Sequence, residues 1–101
     1  MDPITIGIIV AAVKILAVVF VIIITFAEIV EWFQENEYRI ENDEQLAFTL
    51  KEFFDTGKYG IVQGIFDKGA NKVLAGRRMQ ANEIDQETLL KHTKEELVVY
   101  T

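Results

Sequence analysis

Ile4 to Ala27, ITIGIIVAAVKILAVVFVIIITFA, is a run of 24 residues whose only charge is Lys14. A helix of that length would span about 36 Å, enough for a hydrocarbon core of about 30 Å. Pro3 suits the first turn of such a helix and Asp2 its cap. Trp32 and Phe33 follow where interfacial aromatics would sit, after Glu28 and Glu31. The run therefore predicts one transmembrane helix over residues 1–33. A cleaved signal peptide fits less well, because the start lacks a basic region and the apolar run is too long. A helix buried in a soluble assembly is the more serious rival.

At helical spacing, Gly7, Ala11, Lys14, Val18, Val21, Thr25 and Glu28 share one face. That stripe is small and polar, while Ile9, Leu16, Phe20 and Ile23 on the other side are bulky. A helix patterned this way packs one side on other helices and turns the rest to lipid, so self-association is expected. Lys14 lies too deep to reach an interface easily and would face a protein interior or a water-filled lumen. Otherwise the span starts near residue 15 and leaves Lys14 at the headgroups. The short, nearly neutral N-terminus favours a cytoplasmic tail.

Behind this segment the chain reads as a small soluble domain. Residues 34–43 are polar and serve as linker or helix extension, and residues 44–101 form an acidic α+β unit. Asn42 or Asp43 would cap a helix running to about Thr56, with Leu46, Leu50, Phe53 and Phe54 on one face and Gly57 as its stop. Residues 58–66 and 72–79 flank a glycine-containing turn and predict an antiparallel hairpin. Asp85 or Thr88 would start a short helix, and residues 97–100 a last strand. The order expected for the tail is α-β-β-α-β.

Composition narrows the chemistry. The 101 residues carry a formal charge of −6, which repels nucleic-acid phosphates and anionic headgroups, so neither is expected as main partner. Cysteine and serine are both absent, and His92 is the only histidine. Thiol and serine nucleophiles are thereby excluded, and a transition-metal site would rest on carboxylates alone beside His92. His92, followed by Lys94, Glu95 and Glu96, reads as a solvated side chain. The glycines match neither phosphate-loop pattern. Arg77 and Arg78, on opposite faces of a strand, read as partners for acidic residues of the same or a neighbouring subunit.

No catalytic, cofactor or metal site is expected. The leading expectation is a non-enzymatic single-pass membrane protein that self-assembles and serves as a structural or scaffolding component. An alternative is a homo-oligomeric pore with Lys14 facing the lumen, and another an accessory subunit of a larger membrane complex.

Overall fold

The computed structural model describes residues 2–100. Asp2 caps the first helix as anticipated, its carboxylate accepting from the Thr5 N–H at 2.8 Å, and α1 runs Pro3–Ala12. It then stops. Lys14 N–H turns back to the Ala11 carbonyl and Ile15 N–H to the Ala12 carbonyl, a tightened last turn. The chain leaves the helix there and becomes strand β1 (Val18–Phe20) and a short strand β2 (Ile23–Ile24). Thr25 then caps α2 (Phe26–Glu35). The continuous 24-residue helix is therefore not formed. No helix among the described residues is long and apolar enough to cross a membrane.

Two physical causes break the run. Val18, Val19, Val21 and Ile22 to Thr25 are all β-branched, a composition that suits the pleated surface of a sheet as well as a helix. The second cause is remote in sequence. Arg78 donates from Nε to the Ile15 carbonyl at 2.8 Å and from Nη2 to the Ala12 carbonyl at 2.7 Å. Carbonyls left unpaired at a helix end need such a donor, and this one becomes available only once the sheet is built.

After a single 3-10 turn at Glu37–Arg39 come β3 (Gln45–Asp55), β4 (Lys58–Asp67) and β5 (Lys72–Ala81). They are followed by β6 (Glu83–Ile84), α3 (Gln86–Thr93) and β7 (Leu97–Tyr100). The main sheet has the order β1-β5-β4-β3-β7, and only the β1–β5 pair is parallel. β2 and β6 make a separate parallel pair. The protein is thus an α+β domain with a mixed sheet, and the N-terminal segment is part of it.

The antiparallel hairpin anticipated at residues 58–79 is present as β4 and β5. The helix anticipated up to Thr56 is instead the strand β3, paired with β4 through the tight turn at Thr56–Gly57. Gly57 has φ of +79°, which glycine adopts without strain, so it reverses a hairpin here and stops no helix. Leu46, Phe48 and Leu50 fit a two-residue period as readily as a helical one. The competition is settled by β4 and β7, which bond β3 on both sides.

The sheet is covered on both faces. Against one lies α1, where Ile8, Ala11, Ala12 and Ile15 pack on Phe48, Val62 and Phe66. Against the other, Ile24 and Ile29 pack on Ile61, Met79 and Ala81, with Phe33 and Phe54 at the margin. α1 comes so close that a Cβ on Gly76 would stand 2.6 Å from Ile15 Cδ1.

Candidate interaction surface

Among the described residues, nine of the fourteen exposed large hydrophobic side chains fall between Ile4 and Ile23. The most open are Leu16 at 86%, Ile22 at 83%, Phe20 at 77% and Val13 at 70%. They stand on the turn after α1, on β1, and on the link to β2, where Lys14 is the only charge. Single exposed apolar side chains are ordinary; here several follow one another along a short stretch of chain.

Local structure explains why these side chains point out. β1 is a three-residue edge strand bonded to β5 on one side only. Val19 and Val21 are partly covered, so their neighbours Val18, Phe20 and Ile22 project the other way, as strand alternation requires. A groove of about 420 Å³ runs between α1 and β5, lined by Val10, Lys14, Leu16, Lys72 and Ala75 among others.

The seven residues expected on one helix face are dispersed. Gly7 and Ala11 stay on α1; Gly7 abuts Phe66 and Asn71, and Ala11 is buried in the core. Lys14 is exposed on the turn beyond α1, Val18 lies on β1, and Val21 packs beside the core of the opposite face. Thr25 caps α2, its hydroxyl accepting from Glu28 N–H at 3.2 Å.

Arg77 and Arg78 do point to opposite faces of β5, and both are engaged within the chain. Arg78, besides closing α1, forms an ion pair with Glu52. Arg77 donates to Gln63 Oε1 at 2.9 Å and lies over the Trp32 ring, with Glu28, Glu31 and Glu35 of α2 around it. Its Nη2 is buried without a hydrogen-bond partner among the described residues. Burial pulls the Arg77 guanidinium below its ordinary range, while the carboxylates of Glu28, Glu35 and Glu31 act in the opposite direction. Trp32 and Phe33, expected at a membrane interface, pack instead on Arg77 and on the Tyr100 ring.

His92 corrects the reading from sequence, because it is fully buried. Its Nδ1 lies 3.0 Å from the Glu95 carbonyl, which can only accept, so Nδ1 carries the hydrogen. Nε2 then accepts from the Thr49 hydroxyl at 2.8 Å, and that oxygen accepts in turn from the Tyr100 hydroxyl at 2.8 Å. Burial holds the imidazole below its usual range and Lys51 pushes the same way, against the carbonyls of Glu95 and Glu96. The chain of bonds ties α3, β3 and β7 together.

Sequence reasoning missed Thr49 and Gln63 as well. Both are buried, and the Gln63 amide donates to the Ile29 carbonyl at 2.7 Å. A polar residue in the apolar strand Ile61–Phe66 was the only signal for Gln63. Among the described residues no three His, Asp or Glu side chains gather as a metal site would require. Compared with known proteins, the chain matches no family model, no curated protein and no solved structure.

Proposed function

We propose that this protein is a non-enzymatic structural component that self-associates through the apolar surface running from Val13 to Ile23. The observation that carries the reading is the concentration of open apolar side chains there, beside a single charge. Covering Leu16, Phe20 and Ile22 is worth about 1.5–3 kcal/mol for each side chain fully removed from water. A small acidic domain gains stability from such coverage at little electrostatic cost, because Lys14 is the only charge in that stretch.

A lipid surface is the second reading, favoured by the same residues, with Lys14 at the headgroups. It needs no spanning helix. A scaffold would place the surface between copies, and a lipid-bound protein would place it in the outer part of a leaflet.

The test is the solution mass of the full chain by light scattering, wild type beside Phe20→Glu and Leu16→Glu. Both side chains are exposed, so the variants should fold. Wild type is expected as a defined oligomer and each variant as a monomer. A wild-type monomer at all concentrations, combined with flotation on neutral phosphatidylcholine vesicles, would replace self-association by the lipid reading.

A further inference from the structure

α1 has no polar side. From Pro3 to Ala12 it carries no charge, and Thr5 is its only polar residue. Ile8, Ala11 and Ala12 face the sheet. Ile6 and Val10, with Val13 just after the helix, follow at steps of four and three and form an exposed outer crest. A helix that is apolar all round is ordinarily covered all round. This one is covered on its sheet side only.

Part of the same sheet face is bare. α1 ends near Arg78, whose guanidinium bonds the Ala12 and Ile15 carbonyls, and Arg78 is level with Val62 of β4 and Leu50 of β3. The strands run on past that level to Ala81, Lys58 and Asp55. α2 and α3 lie on the other face, with Ile29 on Ile61 and Met79 and His92 on Thr49. Among the described residues, no helix covers this extension on the side of α1.

The register places the side chains that line it. Arg78 and Val62 face α1, so Gln80 and Gly60, two residues on, do too. Phe20 shares the face of its partner Gln80. Phe53 lies over Gly60, where a Cβ would stand 2.7 Å from its ring. Phe20 and Phe53 thus flank a shelf with Gln80 in its floor and Lys58 at its far end, holding an open hollow of about 450 Å³.

We propose that two copies of this chain join across a two-fold axis, each laying the crest of α1 on the shelf of the other. The axis crosses the strands near Arg78, and the two α1 helices lie in one layer between the two sheets. The proposal rests on the self-association reading and gives it a partner surface and a geometry.

Dimensions agree. A helix of ten residues is about 15 Å long and about 10 Å wide. From β1 to β3 the shelf spans three strand spacings, about 14 Å, and from Val62 to Lys58 four residues, about 13 Å. The rotation reverses the strand direction, so the start of α1 reaches the turn between β3 and β4 of the other copy. Ile6 then stands opposite Lys58, Val10 and Val13 lie over the shelf nearer the axis, and Leu16 comes beside the axis.

Charge favours this face. Glu28, Glu31 and Glu35 belong to α2 on the far side, and a formal charge of −6 keeps such surfaces of two copies apart. On the near side Arg78 is paired with Glu52, Lys58 is the register partner of Asp55, and Asp2 balances Lys14. Lys14 lines the flank of α1 toward β5, at the rim of the joint, where water and salt screen it from its mate. The contact is isologous and closes as a dimer.

The chain has no cysteine, so Ile6→Cys and Lys58→Cys each introduce a single exposed thiol. The reduced full-length variants are checked by circular dichroism and then mildly oxidised. Their equimolar mixture should give a disulfide-linked dimer in several-fold excess over either variant alone. The double variant should close into a doubly linked dimer and extend no further. Ile6→Cys linking to itself as readily as the mixture would overturn the geometry in favour of helices side by side in parallel. A ladder from the double variant would overturn it in favour of a head-to-tail contact. Val10→Glu, an exposed change outside the Val13–Ile23 surface, should leave the dichroism unchanged and give a monomer by light scattering. An oligomer that survives Val10→Glu but is lost in Phe20→Glu refutes the crest and leaves self-association standing; a wild-type monomer removes both.

Discussion

His92 shows how much one side chain can hold. Its Nδ1–H is committed to the Glu95 carbonyl and its Nε2 to the Thr49 hydroxyl, so the neutral ring satisfies both partners. A second proton on the ring would turn Thr49 about to donate to the Tyr100 hydroxyl and would place a charge where burial disfavours it. Burial holds the folded imidazole below its ordinary range, so the unfolded chain takes up the proton first. The stability contributed by His92 is therefore complete above about pH 6.5 and declines as pH falls from there through the folded pKa. Thermal melts between pH 8 and pH 5 should show this decline. His92→Gln should be less stable at pH 8 by about 1–3 kcal/mol and nearly flat across the same window. An equal slope in the variant would place the acid sensitivity elsewhere.

Among the elements, α2 and α3 are linked through one carboxylate. Asp85 caps α3 by accepting from Thr88 N–H through Oδ1 at 3.0 Å, and through Oδ2 it accepts from Phe26 N–H at 2.9 Å, in the first turn of α2. Burial works against ionisation of Asp85, but the bonds from Thr88 and Phe26 outweigh it and hold the carboxyl below its ordinary range. The β2–β6 pair brings the two helix starts together, with Asp85 N–H bonded to the Ile24 carbonyl. Asp85→Ala should cost more than an ordinary cap, about 2–3 kcal/mol, since a second N–H loses its partner. Thr25→Ala, which removes one cap only, should cost about 1 kcal/mol. Urea unfolding of the two variants distinguishes these, and equal losses would mean that the Phe26 bond contributes nothing. Asp85 was legible in sequence as one of two possible helix starts, beside Thr88, because a cap precedes its helix locally. Its second bond spans 59 residues and leaves no local trace.

At the scale of the whole molecule, self-association has a thermodynamic signature. A protein whose folded form binds its own copies melts higher as its concentration rises, because association removes folded monomer from the unfolding equilibrium. Wild type should show this over a hundredfold range of concentration, and Phe20→Glu should not. A wild-type melting temperature independent of concentration would argue against assembly of the folded state.

Local signals determined much of the outer plan. Asp2 and Pro3 start α1, glycine and asparagine turn the β4–β5 hairpin, Asp85 starts α3, and the open apolar surface lies within a stretch whose composition already stood out. These features depend on neighbours in sequence, so composition and spacing carry them. The break after Ala12 and the strand identity of residues 45–55 were decided only by tertiary structure. At both places two periods fit the same residues. The choice fell to distant partners, Arg78 closing the end of α1 and β4 and β7 bonding both sides of β3. The same holds for the apolar run itself: 24 residues of this composition specify that something must cover them, and only the folded chain decides how much of them the protein covers itself.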